Sequence, residues 1–176
     1  MTDSHPLRAT LFSFHDRLAG SDITWAITAS TNLMLQGLDV MPNDIDVLTD
    51  RDGAYRLEEL FTDHVTQSVQ RPEIAMSDDK DIRSHYGVLS INNIEVELMG
   101  AVEHRIDGEW VPIDSVGEHR EFIERGGRDI PVMSLDHELT GYRDLGREKR
   151  VAQLESQLGR NVRRDEDVKG DEEVDG

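Results

Sequence analysis

The chain of 176 residues contains no cysteine, which excludes both a disulfide framework and a thiolate metal site. Lysine is nearly missing as well, occurring only at positions 80, 149 and 169. Aromatics are scarce at 5%, and an apolar content of 36% is lean but sufficient for one globular core. The two tryptophans, Trp25 and Trp110, suit core or half-buried positions better than base-stacking platforms. No apolar run approaches the roughly 20 residues of a membrane span. Residues 1–6 lack the basic and apolar regions of a signal peptide. A cytoplasmic protein without membrane contact is the expectation.

What is abundant is negative charge, −18 in total. Seven acids against three bases between Arg163 and Gly176 account for −4, which leaves −14 on the body. An acidic, lysine-poor surface suits a halophilic protein in a very salty cytoplasm, where ions screen its self-repulsion; an ordinary acidic protein is the alternative. Either way, extended nucleic-acid binding through a basic face is disfavoured, although a local basic patch remains compatible.

Apolar spacing predicts a helix over residues 7–19, closed by Gly20 and Ser21. Residues 22–28 read as a buried strand, and Ser30 as the cap of a short helix over 31–38. A second strand follows at 45–48, a turn at 50–53 and a helix at 54–63. Segments 87–91 and 94–99 flank an Asn92-Asn93 hairpin turn, and a second hairpin surrounds Asp107-Gly108-Glu109. A strand at 128–133 leads to a helix capped by Ser134, with 147–158 continuing or following it. The fold expected is α/β (α+β): a mixed twisted sheet flanked by helices in one domain, residues 1–159. Beyond Gly159 the apolar periodicity stops, so 160–176 is expected to be an acidic, disordered tail.

The sharpest local feature is Asp44-Ile45-Asp46. In a strand, residues i and i+2 face one side, so both carboxylates project together while Ile45 points inward. Two such groups repel each other, and a hard cation such as Mg²⁺ relieves the repulsion. Solvated acids on an edge strand are the plain alternative. Upstream, Thr28-Ala29-Ser30 joins a strand to a helix start, where backbone N–H groups and the Ser30 hydroxyl can cradle phosphate, or Ser30 can merely cap its helix. Downstream, Ile94-Glu95-Val96-Glu97-Leu98 alternates, so Glu95 and Glu97 share the face opposite Ile94, Val96 and Leu98. Either glutamate can supply a third carboxylate. Other motifs fall short. Asp50-Arg-Asp-Gly53 lacks the remaining ligands of a calcium loop, and His137-Glu138 meets Gly141 where a zinc-protease motif needs histidine. His85 has two readings, a substrate-side role or a structural hydrogen bond.

Taken together, Trp25–Gly37 and Pro42–Asp50 resemble the nucleotidyltransferase superfamily that includes DNA polymerase β-like enzymes. The segments 82–87, 96–100, 107–110 and 142–147 resemble one small branch of it, so the likeness spans about residues 22–155. It implies a nucleotidyltransferase-like fold and a metal-dependent transfer of a nucleoside monophosphate from a nucleoside triphosphate (NTP) to an acceptor hydroxyl. It further implies that Asp44, Asp46 and Glu97 bind two Mg²⁺ ions, that Ser30 with Thr31 contacts the triphosphate, and that Arg143 and Lys149 neutralise phosphate. Surface ion pairing is the other reading of those two cations. Ala29 stands where the family usually has glycine, a departure that bears on catalysis rather than fold. A second class of function, an inactive nucleotide-binding or interaction module of toxin–antitoxin type, fits that departure.

Overall fold

In the computed structural model, residues 5–75 and 78–171 are described, with side chains up to residue 160. Pro6 opens helix α1 (Pro6–Leu18), and His5 accepts the Leu7 N–H ahead of it. Helical spacing brings Leu7, Leu11, Phe14 and Leu18 onto one buried face. Strand β1 (Trp25–Thr28) runs straight into α2 (Ala29–Leu35), and β2 (Ile45–Thr49) runs into α3 (Arg51–Leu60). The expected turn at 50–53 is the first turn of α3, because Asp50 accepts the Gly53 N–H at 2.6 Å and caps it. The Ser30 cap is likewise corrected: α2 begins at Ala29, with Thr28 in the cap position.

Next come β3 (Val65–Gln70), β4 (Ile82–Ile91), β5 (Ile94–Ile106) and β6 (Glu109–Pro112). After α4 (Val116–His119) follow β7 (Arg120–Arg125), β8 (Arg128–Met133), α5 (Leu135–Asp144) and α6 (Glu148–Asp171). The sheet order is β3-β4-β5-β2-β1-β8-β7, and β6 pairs with β5. β2–β5 and β1–β8 are parallel and the other pairs antiparallel, so the sheet is mixed as expected. Two edge strands, β3 and β7, were not anticipated. On β3 the exposed side chains are the polar Thr66, Ser68 and Gln70, and on β7 the charged Glu121, Glu124 and Arg125 are exposed beside Phe122.

The alternation read from sequence sets the two faces of the sheet. Ile45, Val47, Val96 and Leu98 are fully buried against α1 and α3, where Phe14 stacks on Phe61. Gly100 lets α3 approach, since a Cβ there would sit 2.7 Å from both the Ala54 Cβ and the Asp50 carbonyl. The opposite face carries a smaller cluster of Ala26, Leu48, Val102, Val116 and Met133. Leu33, Leu38, Leu135, Leu139 and Leu154 join α2, α5 and α6 beside it. Helix α6 continues through Gly159 to Asp171, across a stretch expected to be without structure. A helix already nucleated by packing propagates into polar sequence at low cost. The last part of that expectation, 172–176, lies outside the described residues.

Candidate active site

The less-covered face of the sheet holds a cavity of about 230 Å³, lined among others by Thr28, Ala29, Asp46, Glu97, Glu138 and Tyr142. Asp46 is the central acid. Register puts it beside Thr28 of β1 on one side and Glu97 of β5 on the other. Burial, then the nearby Glu97 and Asp44 carboxylates, push the Asp46 carboxyl well above the usual carboxylate range. A side-chain hydrogen bond with Glu97 adds to the rise. Tyr86 backs Glu97 from β4: its hydroxyl hydrogen-bonds to that carboxylate, and burial with Glu97 raises its pKa. Glu95 pairs with Ser90 and is exposed, whereas Glu97 is half-buried and next to Asp46.

Asp44, half-buried, lies just before β2. Its carbonyl accepts the hydroxyl of Thr31 at 2.6 Å, and Thr31 is fully buried. Thr31 therefore ties α2 to the acidic strand, and its side chain is not open to a ligand. Ser30 is half-exposed at the same turn. Arg143 and Lys149 are exposed, and neither lines the cavity; Arg143 pairs with Glu155 at 2.6 Å. His85 is also elsewhere, with its ring nitrogen 2.9 Å from the Tyr55 hydroxyl, in a separate cavity with Arg51 and Arg83.

The turn at Ala29 differs from an open phosphate cradle. Ala29 holds a φ of 54°, in the left-handed region that glycine favours. Its N–H donates to Glu138 at 3.0 Å, and the same Glu138 oxygen accepts from the Thr28 hydroxyl at 2.8 Å and the Asn32 amide at 2.7 Å. Glu138 is 7% exposed, and burial, only partly offset by these bonds, raises its carboxyl to about 7. Reading the sequence by motif missed this residue. The signal was present, because Glu138 falls in the stripe Leu135, Glu138, Leu139, Tyr142 at the spacing of a helix's buried face.

Among the described residues, no three acidic or histidine side chains are already gathered as a metal cage. The donor set nevertheless suits a hard cation. Asp46 and Glu97 offer carboxylate oxygens at one point, Asp44 stands close enough to perturb Asp46, and their mutual repulsion is what a divalent ion would relieve.

A strand, a tight turn and a helix, followed by an acidic strand registered against a second acidic strand, form the arrangement expected from the resemblance to nucleotidyltransferases. The comparisons agree. The family model described as aminoglycoside-2''-adenylyltransferase matches residues 10–168, and the chain belongs to that family. No curated protein sequence matches it significantly. A candidate nucleotidyltransferase from Thermotoga maritima is 35% identical with a TM-score of 0.73, over 91% of this chain and 96% of that one. Two more distant structures share the fold. ANT(2'')-Ia in complex with adenylyl-2''-tobramycin is 13% identical with a TM-score of 0.53, covering 88% of each chain. The lincosamide antibiotic adenylyltransferase LnuA, lincomycin-bound, is 14% identical with a TM-score of 0.52, over 84% of this chain and 96% of that one. The protein is thus an enzyme of the nucleotidyltransferase class. That favours transfer over the inactive-module alternative.

Proposed function

We propose that the enzyme transfers an adenylyl group from ATP to a hydroxyl of a small, amine-bearing acceptor, with Mg²⁺ held by Asp44, Asp46 and Glu97. The observation that carries this reading is the Asp46–Glu97 cross-strand pair opening on the cavity. In the transfer, the acceptor hydroxyl gives its proton to solvent as its oxygen bonds to the α-phosphorus, the bond to the bridging oxygen breaks, and pyrophosphate leaves. When bound, Mg²⁺ supplies charge neutralisation for the phosphates and lowers the pKa of the acceptor hydroxyl. Ser30, in the first turn of α2, meets the triphosphate. Arg143 and Lys149 contribute at most long-range attraction from the surface.

The acceptor class follows from charge. Four carboxylates, of Asp46, Asp79, Glu97 and Glu138, line the cavity, with no lysine or arginine among its lining residues. With Asp46 and Glu97 given to Mg²⁺ and the triphosphate, and Asp79 paired with Arg147 at 2.8 Å, the lining still offers acceptors for an amine and no cation for the phosphates of a second polyanion such as RNA. Relatives bound to lincomycin and to adenylyl-tobramycin support this class. The acidic body supports work in a salty cytoplasm. Among the described residues, no helix is long and apolar enough to cross a membrane.

The test is a Mg²⁺-dependent screen with α-labelled nucleoside triphosphates and a panel of polyamine, aminated-sugar and neutral-sugar acceptors, in high salt. Labelled transfer to an aminated acceptor by the wild type, lost in Asp46→Ala with its fold retained, is the expected result. Full activity in Asp46→Ala would rule the mechanism out.

A further inference from the structure

We infer that Glu138 is a positioning residue: one of its oxygens locks the strained turn between β1 and α2 and thereby fixes the strand end beside Asp46. The inference deepens the nucleotidyltransferase reading and rests on it for its kinetic part. Oε1 of Glu138 takes three donors, the Thr28 hydroxyl at 2.8 Å, the Ala29 N–H at 3.0 Å and the Asn32 amide at 2.7 Å. These donors come from the last residue of β1, the first of α2, and the next turn of α2. A single acceptor atom therefore spans the whole joint.

The joint needs holding. Ala29 has its φ at 54°, a conformation that costs an alanine side chain energy and that glycine adopts freely. Thr28, the cap of α2, makes no side-chain bond to its own helix; its hydroxyl is spent on Glu138 instead. Thr28 is also the register partner of Asp46, so a slip of this turn moves the neighbour of the central acid. Asn32 in turn donates to the Met133 carbonyl at 2.8 Å, which anchors the joint to the end of β8. Glu138 replaces by a tertiary contact what a glycine at position 29 would supply locally. Glu138 lines the same cavity as Asp46 and Glu97.

The experiment compares wild type, Glu138→Gln, Glu138→Ala and Glu138→Ala/Ala29→Gly, each checked for a cooperative urea transition. Two quantities are read: hydrogen exchange at the residue 29 amide, and kcat and KM for pyrophosphate release with Mg²⁺·ATP and an aminated acceptor that supports transfer in the screen. Glutamine keeps a carbonyl oxygen that can accept all three donors, so Glu138→Gln should protect the amide and stay within about threefold of wild-type kcat. Glu138→Ala should lose amide protection and about tenfold or more in kcat/KM. Adding Ala29→Gly should recover most of that kcat/KM, because glycine adopts the positive φ of this turn without strain. Unchanged amide exchange in Glu138→Ala would overturn the inference, and so would no kinetic recovery in the double variant. If the wild type releases no pyrophosphate with any nucleoside triphosphate and any acceptor of the panel, the transferase reading fails. The kinetic part of the inference falls with it, while amide exchange still decides whether Glu138 holds the turn.

Discussion

Asp46 sits between two strands that each bring it a constraint. Thr28 fixes its neighbour on β1, and Glu97 crowds it from β5. Because its carboxyl is raised by burial and by like charge, replacing it with a neutral isostere removes a destabilising group from the metal-free protein. Asp46→Asn should therefore melt higher than wild type in EDTA, and Mg²⁺ should raise the melting temperature of wild type alone. Differential scanning fluorimetry checks both.

Glu138 gives a signed pH dependence at the same scale. Its carboxyl titrates near 4.5 in the unfolded chain and is raised to about 7 in the folded one. The folded protein thus binds the proton more tightly, so this contribution to stability is full below about pH 4.5 and is lost as pH rises through about 7. The loss is on the order of 3 kcal/mol. Urea titrations across that window in metal-free buffer should show a shallower decline for Glu138→Gln than for wild type. Equal slopes would mean that Glu138 does not carry it. Asp-Ile-Asp was legible in the sequence because period two alone places both acids together. For Glu138 the helical spacing shows a buried position but not its role, since its partners Thr28, Ala29 and Asn32 lie more than a hundred residues away.

At the scale of elements, the link between α2 and β2 matters most to the site. Thr31 is fully buried and donates its hydroxyl to the Asp44 carbonyl at 2.6 Å. Thr31→Val keeps the shape but leaves that carbonyl without this donor, at a cost of about 1–2 kcal/mol. Urea unfolding measures the loss, and affinity for Mg²⁺·ATP should weaken with it, because Asp44 is no longer pinned. Elements with a buried face, such as α1, β2 and the β4–β5 hairpin, were readable from apolar period. The edge strands β3 and β7 were not: β3 alternates but has only Val65 and Val69 as apolar residues on its inner side, and β7 sets its two apolar residues, Phe122 and Ile123, side by side. Helix α6 past residue 159 escaped for a related reason: nothing apolar marks a helix that simply continues from a packed one.

At the scale of the whole molecule, the charge of −18 is a constant repulsion that only ions relieve. Raising KCl from about 0.1 M to about 1 M shortens the Debye length from about 10 Å to about 3 Å. If the acidity is an adaptation to salt, the melting temperature should climb by several degrees across that range, whereas an ordinary acidic protein would hardly respond. The central claim concerns which carboxylates hold the metal with its nucleotide. It is tested most directly by calorimetric titration of Mg²⁺ with a non-hydrolysable ATP analogue into wild type, Asp46→Asn, Glu97→Gln and Glu95→Gln. The account predicts binding by wild type and Glu95→Gln within about twofold of each other, and a loss of about tenfold or more in Asp46→Asn and Glu97→Gln. Equal affinity in all four proteins, or a loss confined to Glu95→Gln, would contradict it.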